Sequence, residues 1–146
     1  MVGLAGCQTL STVHPAPVYS GYFVWDSDRP LGDLALQCMR MVFDGEEVLA
    51  DGRRRLTGVT RYVTGSDDEI NFVKAELIYD PRSGAFEMWE TEATSEDFVG
   101  DGKFEGRFLA NALLLEGAWA SDRDGKTGRL SMRRGADAPC FLADDA

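Results

Sequence analysis

Histidine is nearly missing from this chain: His14 is the single one in 146 residues. It stands beside Pro15 in a polar stretch and reads as an ordinary residue there. This scarcity excludes a histidine-built metal centre, a Ser–His–Asp triad and a strand-borne haem ligand. Cysteine is sparse as well, at Cys7, Cys38 and Cys140, and none of the spacings is that of a zinc or redox pair. No apolar run is long enough to cross a bilayer as a helix. Positive charge is in deficit. Fifteen Lys and Arg against 25 Asp and Glu leave a formal net charge of −10, a field that repels phosphate backbones, so nucleic acid is not an expected partner. The one basic run, Arg53-Arg54-Arg55, is expected to be a solvated strand edge rather than an anion site. There is no G-x-S-x-G elbow and no P-loop. No metal and no cofactor is expected.

What is present is period-two alternation. Along residues 102–134, Phe104, Gly106 and Phe108 alternate with Glu105 and Arg107. Leu115, Gly117 and Trp119 alternate with Glu116 and Ala118, and Leu130 and Met132 with Ser131 and Arg133. Side chains on a strand point to opposite faces in turn, so each run offers one apolar face. Asn111-Ala112 and residues 122–126 turn the chain between them, which makes an antiparallel meander. Upstream, residues 19–26 read as a first strand and 34–44 as a second. Leu36 and Cys38 have one parity there and Met39, Met41 and Phe43 the other, which predicts a bulge near residues 38–40. Asp44-Gly45 predicts a hairpin turn, with a short third strand over 46–50. Strands follow over 54–64, 69–79 and 85–93, and the Asp80-Pro81-Arg82-Ser83-Gly84 run is a strong turn.

The expected fold is therefore all-β: an antiparallel up-and-down barrel of about eight strands, in one domain over 19–134. Residues 1–18 are expected as a flexible segment or tether and 135–146 as an acidic tail. The succession Phe104-x-Gly106-x-Phe108, Leu115-x-Gly117-x-Trp119 and Gly128-x-Leu130-x-Met132-Arg133 resembles the last strands of lipocalin-like (calycin) barrels. The first strand only approximates the lipocalin G-x-W, as Gly21-Tyr22-Phe23-Val24-Trp25. The Arg-x-Tyr carboxylate clamp of fatty-acid-binding proteins is absent from the last strand, which has Arg129-Leu130-Ser131. The resemblance implies a barrel but assigns no ligand.

At the amino terminus, Leu4-Ala5-Gly6-Cys7 resembles the lipobox of bacterial lipoproteins. It implies a lipid attached at Cys7 and a place in the bacterial periplasm or outer envelope, with membrane contact through that anchor alone. The alternative is an unstructured start in a cytoplasmic protein. If Cys7 is lipidated, Cys38 and Cys140 are left as a pair for a disulfide; the alternative for Cys38 is a small buried residue.

The expected function is non-catalytic binding of a small hydrophobic or amphipathic molecule. Trp25, Trp89 and Trp119 stand on different strands and would line or fill the interior. Simple alternation points Arg40 and Glu90 inward, where unpaired charges are costly. They would meet each other or a ligand, or a bulge would turn Arg40 out. The alternatives are a cofactor-free isomerase or cyclase using carboxylates in the barrel, and a solid-core structural or interaction module.

Overall fold

A computed structural model describes residues 12–26, 36–64, 70–93, 102–122 and 125–135. Eight antiparallel strands close into a barrel in sequence order: β1 (Val18–Trp25), β2 (Leu36–Val48), β3 (Arg54–Thr64), β4 (Ile70–Tyr79), β5 (Ala85–Ala93), β6 (Gly102–Leu109), β7 (Leu114–Ser121) and β8 (Thr127–Arg134). The ring closes where β8 pairs with β1, from Tyr19 opposite Arg134 to Trp25 opposite Gly128. There is no helix among the described residues. The architecture is the one that the alternation predicts, and it is consistent with a lipocalin-like barrel.

The inner face follows the parity of the apolar residues. Tyr19 and Phe23, Met39, Met41 and Phe43, Leu56 and Tyr62, and Val73, Leu77 and Tyr79 are all buried, as are Phe86, Met88, Phe104, Phe108, Leu115, Trp119, Leu130 and Met132. An eight-stranded ring is just wide enough for side chains to fill it or to admit one small ligand. Glycine on this inner parity lets the wall coil sharply. A Cβ on Gly106 would lie 2.0 Å from the Glu116 carbonyl oxygen, and one on Gly58 would lie 2.1 Å from that of Val42.

Three details differ from the sequence expectations. Residues 37–42 keep unbroken register with both β1 and β3, so no bulge falls at 38–40. The two parities there are simply the two faces of one strand, with Met39 and Met41 inside and Cys38 half-buried outside. Nor does Asp44-Gly45 reverse the chain. It is the bulge itself, and β2 runs on to Val48. Continued pairing is favoured by Arg54–Glu46 (3.3 Å) and Arg55–Glu47 (2.8 Å) ion pairs across β2 and β3, and the reversal comes at residues 49–53, with Gly52 at φ +90°. The arginine run is thus no strand edge, since a closed ring has none. Each of its members pairs with a carboxylate, Arg53 with Asp51 at 2.8 Å.

One end of the barrel is capped. Here lie the β2–β3, β4–β5 and β6–β7 turns, and residues 12–17 cross below them. Val13 N–H donates to the Pro81 carbonyl (2.7 Å) and Phe43 N–H to that of Pro17 (2.8 Å), while Val13 and Ala16 pack on the core. Of the segment expected as a tether, these described residues lie against the barrel; His14 is exposed there. The buried Tyr19 hydroxyl accepts from Ala16 N–H (3.0 Å) and donates to the Ala112 carbonyl (2.6 Å), fastening the segment to the β6–β7 turn. Above it, the Phe108 ring packs 5.6–5.8 Å from the rings of Tyr19, Tyr79 and Phe86. Ala110, Asn111 and Ala112 in that turn all have positive φ, at 52°, 59° and 66°.

Candidate functional site

Function is sought at the other end, where β1 meets β2, β3 meets β4, β5 meets β6 and β7 meets β8. The connections themselves are largely outside the described residues, but the strand ends that carry them are not. On the inner wall there, Phe23, Trp25, Phe104 and Trp119 form one aromatic cluster. Trp25 lies edge-on to Trp119 (5.3 Å, 80°) and to Phe23 (5.3 Å, 86°), and Phe23 contacts Phe104 (5.9 Å) and Trp119 (6.1 Å). These distances suit the edge-to-face attraction of ring quadrupoles. Gly128 stands opposite both Trp25 and Trp119 in the ladder and its missing side chain makes room, since a Cβ there would meet the Phe23 ring at 2.2 Å.

Facing these rings from the other strands is a polar pair. Glu90 of β5 has the inward parity of Phe86 and Met88, and Tyr62 of β3 reaches past β4 to donate its phenol proton to Glu90 Oε2. Burial pushes the Glu90 carboxyl up to about 7, an effect the Tyr62 hydrogen bond offsets only in part. Burial, reinforced by the neighbouring carboxylate, holds the Tyr62 phenol well above its ordinary value. No cationic side chain among the described residues contributes to the Glu90 titration. Beside them on β3, Thr60 is wholly buried and its Oγ1 has no hydrogen-bond partner among the described residues. A buried hydroxyl without a partner is unusual and calls for an explanation.

Most of the inner wall is sealed, including Phe23, Tyr62, Phe104 and Trp119 toward the open end. Toward the capped end the inward residues Tyr19, Leu77, Tyr79, Phe108 and Leu115 are sealed. At the far end Trp25, Gln37 and Glu90 keep part of their surface accessible although they point inward.

The residues that sequence reasoning proposed as a ligand site are therefore divided. Trp25, Trp119 and Glu90 come to the same end of the interior. Trp89 lies opposite Glu76, with outward parity, and is half-buried on the outer wall. Arg40 also points outward, paired in register with Ser20 and Arg61, so it does not meet Glu90. Cys38 is disulfide-bonded, to a partner beyond the described residues; Cys7 and Cys140 both lie outside them. Tyr62 and Thr60 were not singled out from the sequence. Tyr62 has the parity of Leu56, and a carboxyl expected inside a barrel needs a donor, so the search for that donor would have reached it.

Among the described residues no group of three or more His, Cys, Asp or Glu side chains is placed to hold a metal ion. No helix of the described chain is long and apolar enough to cross a membrane. The described interior near Glu90 brings together one carboxyl and one phenol, rather than two carboxyls. Comparison with family models, curated proteins and solved structures finds no match to this chain.

Proposed function

We propose that the barrel binds a small apolar or amphipathic molecule in the half opposite its capped end. The observation that carries this reading is the accessible surface kept by three inward-facing side chains at the open end. Inward-facing Trp25, Gln37 and Glu90 keep accessible surface in a wall that is otherwise largely sealed, as side chains lining a chamber do. An apolar chamber with a few convergent polar groups is the usual form of a small-molecule site. Trp25, Phe23, Phe104 and Trp119 would supply the apolar walls, and Glu90 with Tyr62 the polar anchor. Lipocalin-like architecture is compatible with such a role.

Titration with Nile red, an uncharged dye that brightens in apolar surroundings, tests the reading. Saturable brightening is expected, weakened in Trp119→Ala and retained in Trp89→Phe. No brightening, or equal loss in both variants, contradicts it.

One observation favours a second reading. A carboxyl that titrates near neutrality, in hydrogen-bond contact with a phenol, is suited to general acid–base work. A molecule co-purified with the protein distinguishes the two. Recovery in unchanged form supports binding. Recovery altered by the parent protein and unaltered by Glu90→Gln supports catalysis.

We further infer an exported protein anchored through Cys7. The disulfide at Cys38 supports export, because such bonds persist in oxidising compartments. The intact mass of protein from its own host, with or without an acyl group on Cys7, decides it.

A further inference from the structure

Two tyrosine–carboxylate pairs stand among the described residues, and they differ in one respect. At the capped end the Tyr79 hydroxyl donates to Glu46 Oε2 (3.2 Å), and Arg54 donates to the same oxygen (3.3 Å). That carboxylate has its cation from the chain itself. At the open end Tyr62 donates to Glu90 in the same way, but among the described residues no lysine or arginine faces it. Among the described residues, the inner wall around Glu90 is built from Val73 and Ala75 on β4, Met88 on β5, and Phe104 on β6, with Tyr62 the titratable group beside it. Charge buried without a partner is costly.

We propose that the chamber selects an amphipathic amine, whose ammonium group pairs with the Glu90 carboxylate while its apolar body lies against the Trp25–Phe23–Phe104–Trp119 cluster. This rests on the ligand-binding reading above and names its ligand class. An ammonium nitrogen is a donor with no acceptor capacity. It therefore matches a carboxylate. Aromatic faces attract cations as well as apolar chains. The acidic surface favours the approach of a cation and disfavours a carboxylate ligand. Because burial raises the Glu90 carboxyl to about 7, the amine binds more tightly as pH rises from about 5 to about 8 and Glu90 ionises, while binding of a neutral molecule stays flat.

Octylamine, octanol and octanoate share one tail and differ in head group, so calorimetric titration of the intact protein with each at about pH 8 isolates the head. Octylamine is expected to bind at least about tenfold more tightly than octanol, with octanoate weakest. Glu90→Gln, which keeps the shape and the acceptor for Tyr62, is expected to erase the amine preference, so that octylamine and octanol bind alike. Octanol or octanoate equal to octylamine in the parent protein overturns the amine assignment and leaves the chamber standing. If none of the three binds and Nile red fails as well, the chamber itself is refuted. The parent protein decides these outcomes even if the variant does not fold.

Discussion

Tyr62 on β3 and Glu90 on β5 share a hydrogen bond inside the barrel, across a strand that separates them in the ring. The relationship has a consequence for stability. The Glu90 carboxyl rises from its ordinary 4.5 to about 7 on folding because burial penalises its charged form. A carboxyl with a raised folded value favours the folded state below its unfolded pKa, and that advantage is lost as pH climbs through the folded one. Between about pH 4.5 and about pH 7 this group alone should therefore cost up to about 3 kcal/mol, at roughly 1.4 kcal/mol per unit. Glu90→Gln should flatten that slope, leaving the variant more stable than the parent at about pH 8 and not at about pH 4. Urea melts across the range measure it. A parent–variant difference that does not change with pH would contradict the assignment.

The close approach at Gly106 gives a second expectation. A Cβ there lies 2.0 Å from the Glu116 carbonyl oxygen and 2.5 Å from the Gly117 Cα, and both obstacles are backbone. Gly106→Ala must push β7 away from β6, at about 3 kcal/mol or more. Thermal melting should show it, and a melting temperature within a degree or two of the parent would mean that the strands are not so close.

Tyr19 is a rivet between chain segments far apart in sequence. Its hydroxyl joins Ala16 N–H to the Ala112 carbonyl while fully buried. Tyr19→Phe leaves both groups without that partner and should cost about 1–3 kcal/mol. It should also free residues 12–17, so that limited proteolysis cuts there sooner than in the parent. Unchanged cleavage would count against this fastening.

The β6–β7 turn stores strain in the opposite sense. Ala110 sits at φ 52° with its side chain exposed, a conformation that costs a non-glycine residue roughly 1–2 kcal/mol. Ala110→Gly relieves that cost but gives the unfolded chain about 0.4–1 kcal/mol of extra freedom. The expected net is a gain of up to about 1 kcal/mol. A loss of stability in chemical denaturation would contradict the left-handed turn.

The alternation was most legible where one face of a strand is wet. In β6, β7 and β8 the polar residues Glu105, Glu116, Ser131 and Arg133 mark the outside, and the inner parity is unmistakable. Strand β2 was harder, because Cys38 is half-buried outside while Met39 and Met41 are buried inside. Two partly apolar faces imitate a bulge. Asp44-Gly45 carries turn chemistry, yet the Glu46–Arg54 and Glu47–Arg55 ladder keeps the strand paired past it. That preference depends on β3 and is invisible in the local sequence. The site was half legible. Parity placed Glu90 inside with Phe86 and Met88, and the same parity puts Trp89 outside. The role of Tyr62 is not legible locally, because its partner is 28 residues away in sequence, and only closure of the ring brings the two together.

Ligand is expected to enter the barrel from the end opposite the cap, and the tryptophans report on it directly. Trp25 and Trp119 line the interior at that end, whereas Trp89 lies on the outer wall. A nitrogen-15 NMR titration with octylamine, watching the three indole N–H resonances, separates inside from outside in one experiment. Saturating shifts are expected at Trp25 and Trp119, with Trp89 unmoved. Shifts confined to Trp89, or none at all, would contradict entry from that end.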